Sequence, residues 1–303
     1  MTAATALGLL GFRTSPIASQ GLDWPTLDAV WARAGELDIY GAGWMSDHLA
    51  DASAERGGGA FESLTTAAAL AHRVPGKWIG IAVLANTFRH PAVVAKAATV
   101  LDNATGGRFA LGLGTGWHEG EHETFGIPLP PMPERFARFE SAVETLSALF
   151  SDAARTQPGV TRDDPFFPLR DATLEPAPIR PGGPMLILGG QRRRGIALAA
   201  RHADGWVLPG TRAGDIGYFR DRRDALLRGL DEAGRDPSTF TFIGQLSIGS
   251  DPESLRAARE SGIELLRSGA NHVTLGIVAR DGPAALDSVT REVAEALRDS
   301  ARR

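Results

Sequence analysis

The sequence predicts an α/β fold, a (β/α)8 TIM barrel that occupies residues 1–303 as one domain. Short apolar runs alternate with longer amphipathic segments, and this pair of patterns occurs eight times along the chain. Strands joined by crossover helices run parallel, and eight such units in 303 residues are typical of a closed barrel. An open doubly wound sheet is the alternative, but the first strand–helix turn, residues 11–20, lacks the G-x-G-x-x-G pattern of nucleotide-binding sheets.

Each predicted strand is a short apolar run, and each predicted helix has apolar residues spaced three to four positions apart. Asp23 is the expected N-cap of the first helix, and Pro25 and Pro91 stand in first turns, where a missing N–H costs nothing. The predicted strands cover residues 5–12, 39–46, 77–85, 108–114, 184–189, 205–209, 239–248 and 272–277. The predicted helices cover residues 24–38, 61–74, 91–104, 133–150, 193–203, 215–234, 252–269 and 284–301.

Residues 151–183, before the fifth predicted strand, are too long and too rich in proline for a simple connection. Long loops in compact domains are usually functional. We therefore expect an insertion that crosses the barrel mouth.

The composition excludes several classes of protein. The chain is 43% hydrophobic and 22% charged, and no apolar run is long enough to cross a membrane. It has no cysteine, hence no disulfide and no thiolate metal site, and its start lacks the basic segment of a signal peptide. The net charge is −4, and the basic run at residues 192–194 is too short for a nucleic-acid surface. These features predict a cytoplasmic protein that partners neither a membrane nor a nucleic acid.

Residues 118–122, His-Glu-Gly-Glu-His, form the H-E-x-x-H string of zinc peptidases. That motif requires both histidines on one helix face, and the glycines around it disfavour a long helix. Glu140 or Glu144 could supply a third ligand, so a zinc hydrolase remains an alternative. We expect a loop or a short irregular helix here, without tetrahedral zinc.

Glycines alternate with larger residues at positions 112, 114 and 116, at the end of the fourth strand. Two interpretations are open. The missing side chains could let a flat ligand approach the backbone, or small residues could simply fit a crowded barrel interior.

Residues 101–128, LDNATGGRFALGLGTGWHEGEHETFGIP, resemble the luciferase-like monooxygenase superfamily. The segments 44–49, 80–102 and 184–210 are similar to other parts of that family, in the same order. Residues 121–140 are similar to its branch that uses the deazaflavin coenzyme F420. The resemblance implies a barrel that holds a reduced flavin or deazaflavin at its mouth.

The resemblance also implies a role for residues at the ends of the second and third strands. A non-proline cis peptide between Ala82 and Val83 is expected to form a bulge behind the ring. Asp47 matches a cofactor contact, and His48 is expected to be catalytic, exchanging a proton as a hydride moves. The alternative is that His48 pairs with Asp47 for structure only.

Other positions match the family's cofactor contacts. Gly189, Gly190 and Gln191 precede a helix and match its phosphate site, to which Arg192 could add a bidentate contact. Thr115 and Gly116 match positions beside the ring, and His118 a polar contact at the mouth.

Trp117 departs from the members that oxidise glucose 6-phosphate, which carry a glutamate there. This position indicates a less polar substrate. The favoured function is hydride transfer between F420 and a small organic substrate. The alternatives are an FMN-dependent monooxygenase that uses O₂ and a barrel that only binds flavin. By analogy with the family, a homodimer is expected.

Overall fold

The structure, a computed structural model, describes residues 7–14, 23–50, 59–278 and 282–302. Eight parallel strands close into a barrel in the order β1-β10-β9-β8-β7-β4-β3-β2, which confirms the predicted (β/α)8 fold. The barrel strands are β1 (Leu10–Thr14), β2 (Ala42–Met45), β3 (Trp78–Ala85), β4 (Phe109–Gly114), β7 (Met185–Leu188), β8 (Gly205–Val207), β9 (Thr241–Ile248) and β10 (His272–Ile277). Two further strands, β5 (Val160–Arg162) and β6 (Leu169–Ala172), form a separate antiparallel hairpin.

Helices follow the barrel strands and cover the outside. The described helices are α1 (Trp24–Glu36), α2 (Ser63–Leu70), α3 (Pro91–Ala104), α4 (Glu119–Phe125), α5 (Met132–Phe150), α6 (Arg193–His202), α7 (Ile216–Glu232), α8 (Pro252–Arg267), α9 (Pro283–Val289) and α10 (Glu295–Ala301). Asp23 caps α1, since its carboxylate accepts from the Thr26 N–H at 2.8 Å. A π-helical segment, Thr290–Ala294, interrupts what the periodicity predicts as one last helix.

Two apolar layers hold the barrel. The larger layer fills the space between the sheet and the helices. The smaller layer fills the barrel interior and comprises Leu7, Ala42, Trp44, Trp78, Ala110, Met185, Ile187, Val207 and Ile243. Within it, the Trp44 indole donates to Nε2 of the fully buried His272 at 2.9 Å, while His272 Nδ1 lies 2.8 Å from the Gly8 carbonyl oxygen. The pKa of His272 is lowered to about 4 by burial, so this imidazole is neutral.

Two strand starts differ from their predictions. The first strand was expected at residues 5–12 but begins at Leu10, because Gly8 has φ +73°, which breaks the extended conformation. Residues 5 and 6 of that prediction lie outside the described residues. The second strand begins at Ala42 and not at residue 39, because residues 38 and 39 form a turn in which the Tyr40 N–H donates to the Leu37 carbonyl at 3.2 Å.

The insertion at residues 151–183 does not cross the barrel mouth, so that expectation is wrong. It connects the end of α5 to the next strand, and such connections start from the end of a barrel opposite the mouth. It packs on outer helices: Arg162 pairs with Glu144 of α5, and Asp102 of α3 accepts from the Ile179 N–H at 2.6 Å. None of its residues lines the cavity at the mouth.

Candidate active site

A cavity of about 540 Å³ opens at the carboxyl ends of the barrel strands. This is the end where the sites of (β/α)8 barrels lie, and the volume is in the usual range for small-molecule pockets. Nine of the predicted site residues line it: Asp47, His48, Ala82, Val83, Thr115, Gly116, Trp117, His118 and Gly189. Gly190, Gln191 and Arg192 do not.

One wall of the cavity is an apolar bulge, formed by Ala82 and Val83 and here called the backrest. The peptide bond between these two residues is cis, as predicted. The pairing of β3 with β4 shifts register between Ile81 and Leu84, so both backrest residues stand outside the ladder. Ala82 and Val83 also pack against the apolar barrel interior from above. The result is a small, smooth surface at the edge of the mouth.

The glycines of β4 make room for this bulge. A Cβ on Gly112 would overlap the carbonyl oxygen of Ile81, and one on Gly114 would lie 2.7 Å from Cγ2 of Val83. These two positions therefore fit the crowded-interior interpretation. Gly116 has φ +78°, a left-handed conformation that favours glycine, and a Cβ there would collide with the Thr87 side chain.

His48 forms a pair with Glu121, not with Asp47. Nδ1 of His48 lies 3.1 Å from Oε2 of Glu121, and the exposed fractions of the two side chains are 19% and 2%. Oε1 of Glu121 also accepts from the Leu49 N–H at 2.6 Å and the Ala50 N–H at 3.1 Å. Burial alone would raise the pKa of Glu121, but the hydrogen bonds from His48 and these N–H groups lower it below its usual range.

An ionised carboxylate accepts hydrogen bonds and does not donate them, so it places the proton of a neutral His48 on Nδ1. Nε2 is then the nitrogen that can take or give a proton in the cavity. Glu121 is a site residue that the sequence did not identify. It occupies one of the two variable positions of the H-E-x-x-H string, to which that motif assigns no role.

Both carboxylate oxygens of Asp47 accept hydrogen bonds from the protein. Its side chain is 0% exposed and accepts two hydrogen bonds from Arg89, both at 2.8 Å. It also accepts from Ser63 Oγ at 2.6 Å and from the Ala85 N–H at 2.8 Å. Because Ala85 lies just after the backrest, Asp47 anchors the end of β3 to β2.

Most of the H-E-x-x-H string lies on the short helix α4. Of the two expected conformations, a loop and a short helix, the structure has the helix. His118 is its N-cap: Nδ1 accepts from the Glu121 N–H at 3.1 Å. His122 is buried, with Nδ1 2.7 Å from the His118 carbonyl and Nε2 2.8 Å from Thr87 Oγ1. His122 therefore has no ring nitrogen left for a metal.

The two glutamates considered as third zinc ligands are also engaged. Glu140 pairs with Arg194 and Arg201, and Glu144 with Arg162. Within the described residues, no group of three or more His, Cys, Asp or Glu side chains is arranged to hold a metal ion.

The turn before α6 is built mainly for packing. A Cβ on Gly190 would lie 2.7 Å from the Cα of Gly195, so this glycine lets the turn pack against the helix. Nε2 of Gln191 donates back to the Gly189 carbonyl at 2.6 Å. Arg192 is the N-cap residue of α6 and is exposed, with no side-chain capping bond.

Trp117 stands at the mouth with 61% of its surface exposed. Its ring meets the His118 ring edge-on at 4.9 Å between centroids and lies 6.5 Å from the His48 ring. An aromatic surface therefore borders the histidine on the solvent side.

Comparison with known proteins agrees with this geometry. Residues 22–300 match the family model described as luciferase-like monooxygenase. In the described part of the chain, no helix is both long and apolar enough to cross a membrane.

Two curated relatives share about a third of their aligned residues with this chain. A phthiodiolone/phenolphthiodiolone dimycocerosates ketoreductase from Mycobacterium sp. (strain JLS) is 32% identical over 211 residues, 67% of this chain and 51% of that protein. An F420-dependent glucose-6-phosphate dehydrogenase from Kribbella flavida is 32% identical over 235 residues, 73% of this chain and 64% of that protein. The chain thus spans about half the length of the first relative and under two thirds of the second.

The fold as a whole is shared with a solved structure, an F420-dependent secondary alcohol dehydrogenase in complex with an F420-acetone adduct. The TM-score is 0.76 at 19% identity, and the match covers 96% of this chain and 99% of that one.

Proposed function

This chain belongs to the luciferase-like monooxygenase family, and from that premise we propose that it is an oxidoreductase that transfers a hydride between coenzyme F420 and a small organic substrate. The observation that carries the proposal is the cavity at the barrel mouth, where the apolar backrest and the His48–Glu121 pair line the same space. The relative from Kribbella flavida is named for F420 dependence, which favours the deazaflavin over FMN.

The residues present fit a flat tricyclic ring. Ala82 and Val83 offer a smooth apolar surface, and Gly114 and Gly189 flank it without side chains. A Cβ on Gly189 would meet the Val83 methyl carbons at 3.4 and 3.6 Å, so this glycine also borders the backrest. Thr115 and Gly116 would lie beside the ring. The phosphate would take the turn before α6, where Arg192 leaves its guanidinium in solvent.

When bound, the deazaflavin supplies the carbon that accepts or donates the hydride. His48 would then hold or deliver the proton at Nε2, because Glu121 occupies Nδ1. Trp117 and Phe88 would exclude water from the substrate side, since both line the cavity. Asp47 keeps the end of β3 in place and has no free oxygen for a ligand.

Equilibrium titration with each cofactor tests the proposal. The protein should bind F420 more tightly than FMN, as read from the absorbance or fluorescence of each cofactor. Tighter binding of FMN, with oxygen consumed after reduction, would establish the FMN-dependent monooxygenase instead.

His48→Ala should keep the affinity for F420 and slow hydride transfer by about 10²–10⁴-fold, the usual loss when a general acid or base is removed. Single-turnover spectroscopy with a substrate found by screening against reduced F420 would measure this. Full activity in the variant would remove His48 from the mechanism. His72→Ala, at an exposed histidine outside the cavity, is the matched control.

A further inference from the structure

Arg13 reaches into the barrel mouth from the first strand. It pairs in register with Trp44 of the barrel interior on one side and with Gly276 on the other. Side chains in register on neighbouring strands point to the same face of a sheet, so Arg13 points inward. A Cβ on Gly276 would lie 2.5 Å from Nη2 of Arg13, so the guanidinium occupies the space left by that glycine. Arg13 also lines the cavity.

No described residue forms an ion pair or a hydrogen bond with the Arg13 side chain. Its Nε is buried and has no hydrogen-bond acceptor. Arg89, by contrast, forms ion pairs with both Asp47 and Glu62. Burial lowers the pKa of Arg13, but an arginine remains protonated at any physiological pH. The described part of the chain therefore holds this half-buried cation at the cavity without a counter-charge.

A second unpaired group lies nearby. Gln245 of β9 donates from Nε2 to the Leu208 carbonyl, which directs its Oε1 elsewhere. That oxygen is buried and without a donor among the described residues, and Gln245 lines the same cavity. In the barrel order β9 is the fourth strand from β3 in either direction, so Gln245 stands opposite the backrest. Arg13 extends over β10, next to β9.

A partly buried charge without a partner costs free energy, and such sites persist where a ligand relieves the cost. The ring proposed above would stack on the backrest, which leaves its other face towards Arg13 and Gln245. A substrate must lie against that free face to exchange a hydride.

We propose that Arg13 is the substrate-recognition residue of this site, and that the substrate carries an anionic oxygen group, a carboxylate or a phosphate, which binds the guanidinium. The proposal rests on the proposed function for the position of the ring. Gln245 Oε1 accepts a hydrogen bond from the same end of the substrate. The apolar remainder of the substrate contacts Trp117 and Phe88, which line the cavity from the segments after β4 and β3.

The test uses three probes of one shape: benzoate, phenyl phosphate and the neutral benzamide. Binding is measured by calorimetry to the protein alone and by the change in F420 fluorescence in the F420-loaded protein. The wild type should prefer an anionic probe over benzamide by about 10-fold or more, the usual range for a charge-assisted hydrogen bond. The better of the two anions identifies the group as carboxylate or phosphate.

Arg13→Met should lose this preference and keep the wild-type affinity for F420, whereas Arg13→Lys should retain part of the preference. The melting temperature of Arg13→Met should equal or exceed that of the wild type, because the substitution removes a half-buried charge that has no partner among the described residues. Arg256→Met, at an exposed position on α8, should change none of these measurements.

Equal binding of all three probes by the wild type would overturn the proposal. So would lower melting temperatures in both Arg13 variants, which would indicate a structural role, or a loss of F420 affinity in Arg13→Met, which would make Arg13 a cofactor contact. If F420 does not bind at all but the protein alone still prefers an anion, the cofactor proposal fails and the anion site stands.

Discussion

Among single residues, Glu121 determines which nitrogen of His48 carries the proton. Replacing it with glutamine keeps an oxygen for the Leu49 and Ala50 N–H groups but turns an NH₂ group towards His48 Nδ1. Because that NH₂ is a donor, Nδ1 must become an acceptor, and the proton of the neutral ring moves to Nε2. We predict that Glu121→Gln reverses the tautomer of His48.

Nitrogen-15 NMR of histidine-labelled protein measures this tautomer without a substrate. Wild-type His48 should show a protonated Nδ1, and Glu121→Gln a protonated Nε2. Glu119→Gln, an exposed glutamate in the same helix, is the control and should leave the spectrum of His48 unchanged. The same tautomer in wild type and Glu121→Gln would remove Glu121 from the proposed mechanism.

The sequence predicted much of the site at this scale, but not its pairings. Nine predicted residues line one cavity, and the cis peptide lies where the family match places it. The His48–Glu121 pair joins residues 73 positions apart, and Asp47 was the nearer candidate in sequence. Which acid meets His48 depends on the path of α4 over β2, and periodicity carries no information on that path. Arg13 was missed because one arginine on a strand does not reveal whether it has a partner.

Among elements, β4 packs closely against the β3 bulge, where Gly112 leaves no room for a Cβ. We predict that Gly112→Ala destabilises the fold by about 1–3 kcal/mol, the usual cost of overpacking, because the added methyl would overlap the Ile81 carbonyl. Chemical denaturation measures this free energy. Gly59→Ala, where a Cβ would meet no atom within 4 Å, should be close to neutral. Equal stabilities of the two variants would contradict the tight fit.

In the turn before α6, alanine substitutions at Gly189 and Gly190 should have different effects, one on F420 binding and the other on stability. Gly189→Ala would place a methyl at ordinary contact distance from Val83, so it should fold normally and weaken F420 binding by intruding on the ring's space. Gly190→Ala would collide with Gly195, so it should lower the melting temperature. Melting temperature and F420 affinity, measured on both variants, separate these effects. Unchanged F420 affinity in Gly189→Ala would place the ring elsewhere.

The order and type of the elements were predictable because eight units repeat one hydrophobic pattern. The place of the insertion in the fold was not predictable, since its polar and proline-rich sequence has no periodicity that could indicate which elements it packs on. Its contacts with the helices combine single polar bonds, such as those of Arg162 and Asp102, with buried apolar residues such as Leu174.

For the whole molecule, His272 should make stability depend on pH. Its pKa is lowered from 6.5 to about 4 in the folded protein, so between these values the unfolded chain binds more protons. The free energy of unfolding should therefore fall as the pH drops from about 6.5 towards 4, by up to about 3 kcal/mol from this residue.

His272→Gln should remove that part of the pH dependence, because a glutamine can still accept from Trp44 and donate to Gly8. Denaturation at several pH values measures the difference from the wild type. His72→Gln, at an exposed histidine, should leave the dependence as it is. A parallel pH profile in wild type and His272→Gln would contradict the assignment.

The position of Trp117 gives the protein an optical signal of its own. Four of the six tryptophans are at most 8% exposed, so only Trp117 and Trp24, 39% exposed, can collide with a quencher in water. In a Trp24→Phe background, acrylamide quenching would come from the mouth alone. The quenchable fraction of the emission would then report, in the unlabelled protein, when a molecule enters or leaves the cavity and how fast.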